Sequence, residues 1–240
     1  MGIEFEKLKE GECLLCSAVG RLTGEHKIKA SLLKNEFGSR KTKFLGIDGP
    51  KILQSSKSKH LHFKSKICMD CNSSRTQAGD RAFDQLHLGL KESLAKGEEL
   101  TDGNNHPNCE LSVEDTTDYC RYFSKMICCY LADVGGPRSR SLSAFALGLS
   151  DKNRIFLDIS EDKQYEANLA EMDTEGIAQH RGLIFRFDDK KKWVKSIESS
   201  LSAGGISYEF WVQLRWFDKL ELHFKFGHLV RKARASLEQD

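Results

Sequence analysis

Two Cys-x-x-Cys pairs, Cys13/Cys16 and Cys68/Cys71, offer four soft thiolates, the ligand set of a closed tetrahedral zinc site. The 51 residues between Cys16 and Cys68 exceed the spacing of a simple zinc ribbon. Closure entropy grows only logarithmically with loop length, so such an insertion is tolerable. Gly24-Glu25-His26 lies between the pairs, and Asn72 and Arg75 follow the second pair directly. A structural zinc ribbon requires none of these residues. An imidazole titrates near neutrality and can take a proton from water. A neighbouring carboxylate can hold a hard divalent ion against phosphate oxygens. Glu25 and His26 therefore carry the two requirements of phosphodiester hydrolysis, an activated nucleophile and a charge clamp. Taken alone, Asn72 suits a helix cap, and Arg75 suits either a phosphate or a helix surface.

The formal net charge of +2 hides a strong asymmetry. Residues 27–66 hold eleven Lys or Arg against two acids, Glu36 and Asp48, whereas residues 1–25 hold three basic and five acidic residues. Positive charge concentrated beside the Glu25-His26 pair is what a phosphate backbone requires, with Lys27, Lys29, Lys64, Lys66 and Arg75 as the candidate contacts. A solvated lysine-rich loop is the simpler explanation of the same charge. Eight cysteines behind an acidic opening segment with no apolar core indicate thiols in a reducing compartment, and a cytoplasmic location is expected. Cys109, Cys120, Cys128 and Cys129 are expected to pack as small apolar residues. No apolar run is long enough to cross a membrane.

The order Cys-x-x-Cys, acid-His, Cys-x-x-Cys-Asn-x-x-Arg resembles the HNH endonucleases, the zinc-stapled branch of the His-metal finger nucleases. The residues that match are Cys13, Cys16, Glu25, His26, Cys68, Cys71, Asn72 and Arg75, within about residues 11–95. The resemblance implies a ββα-metal module, with a hairpin carrying Glu25 and His26 and a helix carrying Asn72. It further implies that His26 is the general base, that Glu25 and Asn72 hold one Mg²⁺ or other divalent cation, and that the four cysteines bind a separate, non-catalytic Zn²⁺. The substrate it implies is nucleic acid, DNA foremost. The chain departs from the family in two places. Glu25 stands where many members have Asp, and the middle Asn that orients the base-bearing loop has no counterpart shortly before Cys68. His62 is the nearest polar side chain to that place, ahead of His60.

The elements that must position these residues can be traced by periodicity. A short helix is expected over 30–37 and a strand near 60–63. Ala78, Ala82, Leu86, Leu90 and Leu94 recur every four residues, which predicts a helix over 73–96. Residues 97–111 are polar and contain Gly, Asn and Pro, as a linker would. Beyond them, helices are expected over 112–134, 142–147 and 190–201, strands over 155–159 and 183–187, and a β-hairpin over 206–226. The expected fold class is α+β: an HNH-like zinc-stapled domain over 1–96, then a separate α+β domain over 112–240 serving targeting, regulation or dimerisation, the last as a homodimer. Asp80, Arg81 and Asp84 are expected to form surface ion pairs, and His87 and His106 to be ordinary polar residues. Two other functions fit the same sequence: a non-catalytic zinc module that binds nucleic acid through residues 27–66, and a zinc protein whose second domain recognises another protein.

Overall fold

The apolar stripe that follows Cys71 folds as a helix whose buried face meets a longer, almost wholly buried one. The computed structural model describes residues 2–47, 49–53, 55, 58–100 and 113–237. Its first part runs β1 (Phe5–Glu6), β2 (Leu22–His26), α1 (Ala30–Phe37), β3 (Thr42–Gly46), β4 (Gly49–Leu53), β5 (His62–Cys68), a π-helical turn (Cys71–Arg75) and α2 (Gln77–Ala95). The remainder runs α3 (Val113–Asp133), β6 (Arg138–Ser139), α4 (Arg140–Ala146), β7 (Ile155–Glu161), α5 (Tyr165–Glu171), β8 (Gly176–His180), β9 (Ile184–Phe187), β10 (Val194–Ala203), β11 (Ile206–Gln213), α6 (Trp216–Lys225) and α7 (Gly227–Ser236). The mixed α+β class matches the sequence expectation. No helix among the described residues is long and apolar enough to cross a membrane.

The main sheet has the strand order β4-β3-β8-β10-β11-β7, with β9 also pairing β10. Its pairs are antiparallel except β3 with β8, where Thr42 lies opposite Gly176 in parallel register. A separate two-stranded sheet joins β2 to β5, and another joins β1 to β6. Helices α2 and α3 pack on one another and both reach the main sheet. The Tyr122 ring stacks on Phe83 of α2 at 4.2 Å, and Phe123 meets Phe210 of β11 at 4.8 Å. Aromatic burial of this kind dominates core energetics. At the same junction the Tyr208 hydroxyl bonds His87 Nδ1 at 2.6 Å, and His87 Nε2 lies 3.1 Å from Glu36 of α1. His87 is therefore a buried bridge between α1, α2 and the sheet.

The expected separation into 1–96 and 112–240 is not how this sheet is built. Strands β3 and β4 come from the lysine-rich segment and extend a sheet whose other strands follow α3. One apolar cluster runs from Ile3 to Val230. The N-terminus is tied in as well: β1 pairs β6, and the Ile3 amide donates to Asp218 Oδ1 at 2.5 Å. Of the expected linker, 101–111 lies outside the described residues, as do His106 and Cys109. Residues 27–66 are consequently not a lysine loop but a helix and three strands.

Two expected elements changed type. Residues 190–201 read as a helix because Trp193, Val194, Ile197 and Leu201 share a helical face, yet 194–203 form the central strand β10. Its buried positions include Ser196, Ser199 and Ser202, so small polar residues conceal the period of two. The hairpin exists, but it is β10–β11. Gly204 and Gly205, both at positive φ (60° and 85°), form its two-residue turn between Ala203 and Ile206. The segment expected as its second arm is helix α6. The Asp218 carboxylate accepts the Arg215 amide at 2.9 Å and caps this helix. Asp218, Leu222 and Phe226 are buried at four-residue spacing, whereas Trp216 and Phe224 face outward.

Candidate metal centre and active site

The two knuckles close on one another through the β2–β5 sheet. Cys13 and Cys16 sit on a tight turn in which the Ser17 amide donates to the Cys13 carbonyl at 2.9 Å, and Arg138 of β6 pins this turn by donating to the Leu14 and Leu15 carbonyls. Cys68 ends β5 and Cys71 opens the π-helical turn. The four sulfurs lie within 4.8 Å of one another, and Cys16 Sγ is 3.6 Å from Cys68 Sγ. A tetrahedron of thiolates at the usual zinc–sulfur distance has edges of about 3.8 Å. Backbone amides already point at the sulfurs: Cys68 N–H toward Cys13 Sγ at 3.2 Å, and Cys71 N–H toward Cys68 Sγ at 3.4 Å. The thiols compete for charge. A hydrogen bond with the Cys71 thiol pulls Cys13 down to about 4, the same contact pushes Cys71 far up, and burial raises Cys16. A soft divalent cation is what lets all four ionise together. These four cysteines fit a structural metal such as zinc. Among the described residues they form the one grouping of three or more His, Cys, Asp or Glu side chains arranged to share an ion.

At the end of the β2–β5 pairing away from Cys68, which faces Leu22, His26 lies opposite His62 in the strand register, with ring centroids 4.1 Å apart and planes tilted by 44°. The register slips between Gly24, which faces Lys66, and His26. The slip leaves extra residues on β5, whose Lys64 and Ser65 amides are taken by the Asp133 carboxylate at 2.5 and 2.9 Å. A Cβ at Gly24 would stand 3.3 Å from His62 Cδ2, a tight contact. His62 Nδ1 donates to the Ser58 carbonyl at 3.1 Å, which fixes the orientation of the ring. Asn72 clamps the strand from the helix side, its amide nitrogen donating to Thr23 Oγ1 at 3.0 Å and to the Gly24 carbonyl at 3.2 Å. His26, His62 and Asn72, singled out from sequence, thus all touch the β2–β5 sheet, the histidines at one end and Asn72 at Thr23 and Gly24.

Glu25 departs from the expectation. Its carboxylate turns into the core, where Oε1 meets Lys125 Nζ at 3.2 Å, and Lys125 also meets Asp80 Oδ1 at 2.6 Å. Lys125 is 1% exposed. Burial alone would lower its pKa, but the two carboxylates outweigh burial and raise it. Asp80 is accordingly an inward partner, where a surface pair was expected. Asn72 reaches the backbone next to Glu25, but its amide nitrogen is occupied and Glu25 points away toward Lys125. Sequence reasoning missed Lys125. Its signal was a lone lysine inside the apolar run Tyr122-Phe-Ser-Lys-Met-Ile127.

The expected phosphate contacts divide. Lys27 and Lys64 line an open cleft together with His62, and Lys66 is exposed on β5. Lys29 is spent on Asp84 at 2.6 Å and on the Asp80 carbonyl. The Arg75 guanidinium lies 3.9 Å from Cys71 Sγ, on the side of the sulfur cluster. Cys120, Cys128 and Cys129 are buried packing residues whose thiols burial pushes up. Comparison with protein-family models, with curated proteins and with solved structures gave no match.

Two outcomes follow from this geometry. Elemental analysis is expected to find one tightly held zinc per chain, and Cys68→Ser to lose it with a melting temperature lower by about 10 °C; full metal content and unchanged melting in the variant would remove the sulfur cluster as a metal site. Lys125→Met leaves two inward carboxylates without their cation and is expected to cost ~3–5 kcal/mol in urea unfolding, part of it recovered by adding Glu25→Gln. A cost below ~1 kcal/mol would show that Lys125 does not hold this pair in solution.

Proposed function

We propose that this chain is an endonuclease that hydrolyses phosphodiester bonds of DNA, stapled by a structural zinc on Cys13, Cys16, Cys68 and Cys71, with His26 as general base. The observation that carries this reading is the β2–β5 pairing, which sets the His26 ring centroid 4.1 Å from that of His62, a residue of the lysine-lined cleft. A neutral imidazole at His26 takes the proton of an attacking water. His62, held by the Ser58 carbonyl, stands against the His26 ring and fills the orienting place that the family gives to its middle Asn. Asn72 fixes the backbone of the strand that carries the base. Lys27 and Lys64, at the cleft, bring positive charge to the phosphate.

A divalent ion, when bound at such a site, stabilises charge on the phosphate and the leaving oxygen. Glu25 as arranged does not fit one, because its carboxylate is paired with Lys125; Asn72 donates through Nδ2 to Thr23 and Gly24, bonds that do not use the amide oxygen a cation would take. That same pairing of Glu25 favours a second reading, a zinc module that binds nucleic acid without cleaving it.

Plasmid nicking with Mg²⁺, with Mn²⁺ and with chelator, run on the parent and on His26→Ala, decides between them. The parent is expected to nick, and the variant to lose about 100-fold or more in rate. Undiminished nicking by the variant would remove His26 as the base. Salt-sensitive binding with no cleavage under any condition would establish the non-catalytic module.

A further inference from the structure

Folding redistributes the basic residues of 27–66. Lys29 pairs with Asp84, Lys41 with Asp173, Lys43 donates to the Met172 carbonyl, and Arg40 donates to the Glu36 and Phe37 carbonyls. Of the other described basic residues, Lys34 lies on α1 and Lys66 on β5, and four gather elsewhere. Lys27, Lys51, Lys59 and Lys64 line a cleft of ≈ 410 Å³, joined by Lys232 of α7 from the far end of the chain. No carboxylate among the described residues forms an ion pair with any of the five. Asp133 is the acid in the lining, and its Oδ1 is engaged by the Lys64 and Ser65 amides. His62 forms part of the same wall. The floor is His180, 3% exposed, with its ring 5.1 Å from Phe44 and its Nδ1 bonded to the Tyr130 hydroxyl at 3.2 Å.

We infer that this cleft is a track for the sugar-phosphate backbone of DNA, which runs over the β3–β4 turn and past α7 and delivers a phosphate to the His26–His62 pair. The inference rests on the reading of that pair as a hydrolytic site. Five ammonium groups without carboxylate partners among the described residues, in a concave, open channel, match a polyanion, because each neutralised phosphate releases condensed counterions. The lining exposes no Phe, Tyr or Trp: Phe44 is buried against His180, and the rings at its surface are the imidazoles of His60 and His62. The track therefore reads charge and backbone more than sequence. Lys51 and Lys232 lie in the cleft but take no part in the proposed chemistry, so they report on the track alone.

The test is anisotropy of a fluorescent DNA duplex titrated with the full chain over a salt series. The proteins compared are the parent, Lys51→Ala/Lys232→Ala, His26→Ala, and Lys7→Ala/Lys163→Ala, an equal charge removal outside the lining. The cleft double variant is expected to bind about tenfold more weakly and to lower the log–log salt slope by about two. The Lys7→Ala/Lys163→Ala control is expected to bind as the parent does, and His26→Ala, assayed for nicking, reports on the hydrolytic reading alone. An unchanged slope in the cleft variant, or an equal loss in the Lys7/Lys163 control, would overturn the track. Binding of polyphosphate or heparin with none of DNA would overturn DNA as its occupant. Parent protein that binds through Lys51 and Lys232 yet never cleaves would leave the track standing and refute the hydrolytic reading, so the two failures are distinguishable.

Discussion

A single buried ammonium group, Lys125 Nζ, holds together the region on which everything else depends. It lies in α3 and meets carboxylates from β2 and α2, so three elements far apart in sequence meet at one charge. Desolvating such a cluster cancels much of its Coulombic gain, and what it secures is orientation more than net stability. With Glu25 drawn inward, strand alternation turns its neighbour His26 to the other face. The β5 irregularity beside it is satisfied by Asp133, the last residue of the same helix. Helix α3 therefore serves both as the packing centre of the main sheet and as the support of the small sheet that carries the histidines.

Positive charge in this region falls into three classes with different roles. Lys125 is internal and offsets carboxylates. The sulfur cluster calls for a cation of its own, because four adjacent thiols cannot all ionise without one. The lysines of the cleft have no carboxylate partners among the described residues. The sulfur cluster ties down the end of the β2–β5 sheet where Leu22 faces Cys68, and Lys125 draws Glu25 inward.

Features set by local chemistry were visible in the sequence. The paired cysteines announced the sulfur cluster through their spacing alone, and α1, α2, α3 and α4 showed in the recurrence of apolar residues. Features set by distant partners were not. Strands β3 and β4 carry the charge of a loop and become strands because β8 offers an edge more than a hundred residues later. Strand β10 hides its alternation behind buried serines, and α6 mimics a strand through Leu220, Leu222, Phe224 and Phe226 until Asp218 caps it. Glu25 and His26 were correctly singled out as adjacent chemical groups. Their division into one inward and one outward side chain depends on Lys125, whose approach no local pattern encodes.

The most direct measurement is the fate of solvent oxygen. DNA cleaved by the parent protein in ¹⁸O-labelled water should carry the label on the newly formed terminal phosphate, and the labelled product should vanish with His26→Ala while zinc content and fold are unchanged. Labelled product formed equally by the variant, or no labelled product from a parent that retains its zinc and binds DNA, would contradict the hydrolytic role of His26.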